Sequence, residues 1–230
     1  MPRFARVVIP ECPHHVTQRG NERRDIFFTP TDRQTYLSLL QHFARIYCVD
    51  VLGYCLMTNH VHLVLLPRGA ESMAKLLREV HMRYSQYRHA LELGSGHLWQ
   101  GRYYSCVLEP ARLSSVMRYV ELNPVRAGLA SDAGHYTWSS AAVHLGGRDP
   151  ARLIAMADWN QCWTPPEWQA VLTQGAEESA AIRDATYSGR PLGSHEFVAT
   201  LEQSTGRRLR RGRAGRPTTT ERQLCSSGKI

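Results

Sequence analysis

The segment Met57-Thr58-Asn59-His60-Val61-His62-Leu63-Val64-Leu65 narrows the folds open to this chain more than any other. Largely apolar runs flank Thr58-Asn59, Val51 to Met57 before it and Val61 to Leu66 after it. A connection that short joins antiparallel neighbours, so the two runs predict a pair of strands with a tight turn. Along the second strand the side chains alternate, so His60 and His62 point one way while Val61, Leu63 and Leu65 point the other. One face can pack a core. The opposite face holds two imidazoles side by side, an arrangement suited to a divalent metal because neutral histidine is its commonest ligand.

The flanking patterns complete a topology. His15-Val16-Thr17-Gln18-Arg19 predicts a first strand that ends at the Gly20-Asn21 turn signal. Thr31 or Asp32 can cap a helix whose apolar positions are Tyr36, Leu39, Leu40, Phe43 and Tyr47. After the strand pair, Met73, Leu76, Leu77, Val80, Tyr84, Tyr87 and Leu91 form the stripe of a long helix, stopped at Leu93-Gly94. Trp99 to Arg102 reads as a loop and Tyr103 to Leu108 as a strand. The order β-α-β-β-α-β is the split βαβ of an α+β, ferredoxin-like antiparallel sheet with helices on one face. Val61, Leu63 and Leu65 should meet those helices, with His60 and His62 on an open side.

A further helix is expected from Leu113 to Asn123, with Leu113, Val116, Met117 and Val120 buried. Tyr119 falls off that stripe, and Asn123 sits one turn below it on the same flank. Pro124 should end or kink the helix, with Gly128 closing a short turn. Beyond Trp138-Ser139-Ser140 the pattern weakens, although Trp163 to Trp168 suggests a capped helix start and Ser194 to Gln203 another helix. The expected division is a domain over 1–145, a C-terminal helical extension over 146–205 and a basic, disordered tail over 206–230.

At 230 residues the chain can bury a core without disulfides, and its six cysteines are scattered with no C-x-x-C pair. No N-terminal apolar stretch or membrane-length run is present, so a soluble, cytoplasmic protein with no membrane partner is expected. The net charge of +8 suggests a polyanionic partner. Eight basic and two acidic residues fall from Leu201 onward, leaving only +2 to the first 200 residues. Charge alone therefore does not make the folded part a nucleic-acid binder.

Three ordered blocks carry a resemblance: Met57 to Val64, Trp99-Gln100-Gly101-Arg102-Tyr103, and Arg118-Tyr119-Val120-Glu121-Leu122-Asn123-Pro124-Val125-Arg126-Ala127-Gly128-Leu129. Together they resemble the HUH single-tyrosine transposases of the insertion-sequence-200 type, and most closely the REP-associated tyrosine transposases. The likeness spans roughly His14 to Leu145. It implies that His60 and His62 hold Mg²⁺ or Mn²⁺, that Tyr119 is the nucleophile, and that Asn123 completes the metal site where many relatives carry glutamine. An amide oxygen suits a hard cation, but asparagine is one methylene shorter, so the helix must sit closer to the sheet. The implied activity is a metal-dependent single-stranded DNA endonuclease and strand-transferase acting on hairpin, REP-like DNA. Tyrosine attack would give a 5′-phosphotyrosine and a free 3′-OH, and because one phosphoester replaces another, rejoining needs no ATP. A phenol, with a pKa near ~10, must lose its proton as it attacks.

Tyr84 and Tyr87 lie in a helix stripe and read as packing residues. Tyr119 has no second tyrosine one turn away, which favours the single-tyrosine class. Arg19, Arg23, Arg24, Arg102 and Arg126 are candidate DNA contacts, and Arg207, Arg208, Arg210 and Arg211 would add salt-sensitive, sequence-independent affinity. Glu121 reads as a surface or salt-bridge residue, and His14, His15, His81 and His97 have no spacing that supports metal binding. Monomer and homodimer both remain open. So do two other classes: a catalytically silent DNA-binding regulator on the same fold, and an RNA-binding module, which would need aromatic residues where the central strand carries histidines.

Overall fold

A computed structural model describes residues 6–92, 96–174 and 179–210. Strand β1 (His14–Arg19) leads into helix α1 (Pro30–Ile46), then the hairpin β2 (Val49–Leu56) and β3 (His60–Pro67), helix α2 (Ser72–Glu92) and strand β4 (Tyr104–Val107). The four strands form one antiparallel sheet in the order β2-β3-β1-β4. This is the expected α+β, ferredoxin-like arrangement. The first strand starts one residue earlier and the last is shorter at both ends than the sequence suggests. The expected helix stop at Leu93-Gly94 lies outside the described residues.

Helix α1 begins earlier than the choice of Thr31 or Asp32 as its cap implied. Thr29 is the cap, Pro30 opens the first turn, and Asp32 at the third position closes a capping box with Thr29. Asp32 also accepts from Tyr87 Oη at 3.0 Å and pairs with Arg88 at 2.9 Å, so a buried carboxylate ties α1 to α2. The hairpin turn is closed by Met57 N–H donating to the His60 carbonyl at 2.9 Å.

On one face of the sheet, Val61, Leu63 and Leu65 pack with Val16, Val51 and Leu56 against Tyr36, Leu37 and Leu40 of α1 and Met73, Leu76, Leu77 and Val80 of α2. Tyr84 is buried there with its hydroxyl donated to the Ile26 carbonyl at 2.6 Å, the packing role expected of it.

The second face departs from expectation. It is not open. Helices α3 (Leu113–Glu121), α4 (Asn123–Arg126), α5 (Ala141–His144), α6 (Trp159–Cys162), α7 (Pro165–Thr173), α8 (Ser179–Ser188) and α9 (His195–Thr205) follow the sheet. Residues from α3 and α5 to α8 form a second core with Cys55, Val64 and Cys106 of the sheet. Short helices with weak periodicity cannot bury their apolar sides alone, and the sheet's second face supplies the partner surface. With the centre of that face covered, the sheet does not present the broad aromatic platform of an RNA-binding module, and only its β1–β4 edge stays accessible. Among the described residues, no helix is long and apolar enough to cross a membrane.

Candidate active site

Strand register sets the site. Across the second face, Tyr104, Thr17, His62 and Cys55 fall in one row, because Thr17 pairs with both Tyr104 and His62, and His62 pairs with Cys55. In the next row Arg19 pairs with His60, and on the other side His15 pairs with Val64. Strand alternation therefore brings His15, His60 and His62 to the same face. His15, set aside at the sequence level, lies inside the cluster: its Nε2 is 2.9 Å from His62 Nδ1 and the two rings stack at 5.2 Å.

The hydrogen bonds fix the ring protonation. Asn59 Nδ2 donates to the Arg23 carbonyl at 3.0 Å, which turns Asn59 Oδ1 toward His60 Nδ1 at 2.7 Å. An amide oxygen only accepts, so His60 carries its proton on Nδ1 and its Nε2 keeps a lone pair. A longer relay does the same for His62. Thr186 of α8 donates its hydroxyl to the Ile182 carbonyl at 2.7 Å and so accepts from His15 Nδ1 at 2.7 Å. Neutral His15 then accepts at Nε2 from His62 Nδ1, and the lone pair of His62 is left on Nε2. Burial keeps these rings neutral: it pushes His15 down to about 3, pushes His60 down to about 4 with help from Arg19, and holds His62 well below the usual imidazole range with help from His60, His15, Arg126 and Arg19.

Helix α3 lies over this row. The Tyr119 ring meets His62 edge-on at 5.6 Å and His15 at 5.7 Å. Gly53 allows the helix to come this close, since a side chain there would meet Met117 Sδ at 2.3 Å. Pro124 ends α3 at Glu121, and Asn123 opens α4 rather than extending the helix. The Asn123 amide donates through Nδ2 to the carbonyls of Tyr119 at 2.9 Å and Val120 at 3.3 Å, and no hydrogen bond joins it to either histidine. Arg126 reaches back from α4, with its guanidinium 4.6 Å from the Tyr119 ring centre and Nη2 donating to the Tyr119 carbonyl at 2.6 Å.

The flanks of α3 are held by the C-terminal helices. Arg118 donates Nε to the Val171 carbonyl at 2.7 Å and Nη2 to that of Gln174, satisfying acceptors at the end of α7. Glu121 is fully buried, contrary to a surface reading. Its oxygens accept from Ser140 Oγ at 2.6 Å, His144 Nδ1 at 2.6 Å and Trp168 Nε1 at 2.8 Å.

The other predicted residues divide by position. Arg19 is half-buried beside His60, while Arg23, Arg24 and Arg102 are exposed and Arg24 pairs with Glu22 at 2.5 Å. Arg207 donates to the Arg6 carbonyl at 3.1 Å, Arg210 pairs with Glu202 at 3.1 Å, and buried Leu209 between them packs with Leu201. The stretch up to Arg210 is thus folded against α9, not a disordered arm, and Arg208 is exposed within it. Arg211 lies outside the described residues. Among the described residues, no three His, Cys, Asp or Glu side chains group as a metal site.

Among solved structures the chain is similar to a REP-associated tyrosine transposase bound to a REP hairpin, at 17% identity and a TM-score of 0.56 over 77% of this chain and 96% of that one. A protein described as a candidate transposase from Deinococcus radiodurans R1 is similar at 17% identity and a TM-score of 0.37, over 52% of this chain and 96% of that one. No curated protein matches. The first likeness shows a common fold, and sequence extends the relation: the model of a family described as "Transposase IS200 like" matches residues 8–123, half of the chain. The chain is therefore a member of the IS200-like transposase family.

Proposed function

We propose that this transposase-family protein is a metal-dependent endonuclease and strand-transferase for single-stranded, hairpin-forming DNA, with Tyr119 as its nucleophile. The observation that carries the reading is the edge-on approach of the Tyr119 ring to His62 at 5.6 Å, over imidazoles whose Nε2 lone pairs have no partner among the described residues. Those two nitrogens would hold Mg²⁺ or Mn²⁺, with Asn123 Oδ1, which accepts no hydrogen bond among the described residues, as the third donor that the family resemblance implies. A cation bound there would polarise a phosphoryl oxygen and offset the charge that repels a nucleophile.

The chain supplies the rest. Tyr119 Oη attacks phosphorus, the bond to the 3′ oxygen breaks, and the phenol proton is lost as the departing oxygen gains one. Arg126 sets positive charge against the ring that turns negative in that step, and Arg19 adds charge beside His60. Attack of another 3′-OH on the phosphotyrosine reverses the reaction and joins two strands. A hairpin substrate is supported by the likeness to a hairpin-bound structure of the same fold.

A second reading, a silent DNA-binding regulator, draws on one observation: Tyr119 is only 5% exposed. One assay separates the two. A labelled DNA hairpin with an unpaired flank should form a covalent protein–DNA band that needs Mg²⁺ or Mn²⁺ and disappears in Tyr119→Phe and His60→Ala. Cleavage by Tyr119→Phe at the parent rate would remove the nucleophile assignment. Absence of any band from the parent would favour the regulator.

A further inference from the structure

Helix α8 lies beyond the residues that match the family model, yet three of its side chains turn to the site. Arg183, Thr186 and Tyr187 are spaced to share one helix face. Thr186 braces His15. Arg183 and Tyr187 line a groove of about 460 Å³ with Thr17, Arg19, Arg23, Gln100 and Tyr104. Since Thr17 pairs with both Tyr104 and His62, the groove opens roughly 10 Å from His62, two strand spacings away.

Its chemistry is that of an unpaired nucleotide. Among the described residues, three arginines line it and no carboxylate does. The Arg19 guanidinium has no hydrogen-bond or ion-pair partner among the described residues, and its Nε is buried. A buried, unpaired guanidinium donor calls for an anionic acceptor, which a phosphate provides. Two aromatic rings stand at the same place, Tyr104 half-buried and Tyr187 46% exposed, 5.0 Å apart and edge to face. Bases stack on such rings with little regard to sequence.

We propose that α8 is a substrate-binding element: with Arg19, Arg23 and Tyr104, its Arg183 and Tyr187 form a subsite for an unpaired nucleotide flanking the scissile phosphate. The assignment rests on the strand-transferase reading for its substrate, but it is tested by binding alone. Fluorescence anisotropy on the full chain carrying Tyr119→Phe compares a hairpin bearing a short unpaired flank with the same hairpin made blunt. Adding Arg183→Ala and Tyr187→Ala should weaken the flanked hairpin at least roughly tenfold. The salt dependence should lose about 0.7 from its log–log slope. The blunt hairpin should change less than twofold.

Tyr187→Phe alone should restore the stacking loss, and Arg183→Lys the salt slope, while melting temperatures stay at the parent value. Unchanged affinity for the flanked hairpin, or equal loss on both DNAs, overturns the subsite. A parent that binds the flank through α8 yet forms no Tyr119 adduct overturns the strand-transferase reading alone. A parent that forms the adduct while the α8 variants bind normally overturns the subsite alone.

Discussion

Tyr119 and Glu121 stand two residues apart at the end of α3, and each belongs to a polar cluster of a different kind. Around Glu121 both carboxylate oxygens are used, by Ser140 and His144 at the two ends of α5 and by Trp168 of α7, and the group is sealed from solvent. Around Tyr119 the relay from Ile182 through Thr186, His15 and His62 uses one nitrogen of each final ring and stops, with Nε2 of His60 and His62 uncommitted. A closed network fixes geometry, whereas one that ends in lone pairs is prepared for something to arrive. The two are joined by a single helical turn, so rigidity at Glu121 positions the phenol at Tyr119.

The largest break in that contrast should come from Glu121→Ala. Removing one partner of a buried ionic cluster costs about 3–5 kcal/mol, so thermal melting should drop by on the order of 10 °C. A variant that melts within 2 °C of the parent would show that the cluster does not anchor α3.

Acid should act next, on the histidine side. The folded pKa of His15 is about 3 and that of His60 about 4, both below the unfolded value near ~6.5, so the unfolded chain binds more protons. Their stabilisation is complete above about pH 6.5 and declines as pH falls toward 3, by about 2 kcal/mol at pH 5 for His15. Denaturant midpoints measured across that window should fall steadily with acid. A flat profile would mean that these rings are not held neutral.

The smallest effect sharpens the difference between the clusters. Thr186→Val removes the acceptor for His15 without touching either lone-pair ring, so stability should fall by about 1 kcal/mol. Mn²⁺ affinity, read by calorimetry, should weaken on the order of tenfold, the usual cost of losing a partner that orients a ligand. Equal Mn²⁺ affinity in the two proteins would make the relay a packing detail.

The sequence exposed what repeats locally. Period-two alternation put His60 and His62 on one face, and helical spacing put Asn123 a turn below Tyr119, because both patterns are fixed within a few residues. His15 escaped for the opposite reason: its place beside His62 depends on register between β1 and β3, 47 residues apart in the chain, and no local pattern encodes that. Glu121 escaped because an acidic residue is rarely buried unless paired, and its partners lie 19, 23 and 47 residues further on. The expected open face was misjudged since helices as short as α4, α5 and α6 leave little periodic trace. Arg183 and Tyr187 were missed with them. Their clue was an arginine and a tyrosine four apart, a signal too common to single out.

The Asn59 amide faces two ways, its nitrogen holding the Arg23 carbonyl and its oxygen selecting the tautomer of His60. It bridges the arginine-bearing loop and the imidazole. Were the loop pulled away by an incoming strand, the amide would lose the contact that keeps its oxygen turned inward, and the ring's proton would lose its reason to stay on Nδ1. The arginine-bearing loop and the proton position of His60 are thus linked through the torsion of one short side chain.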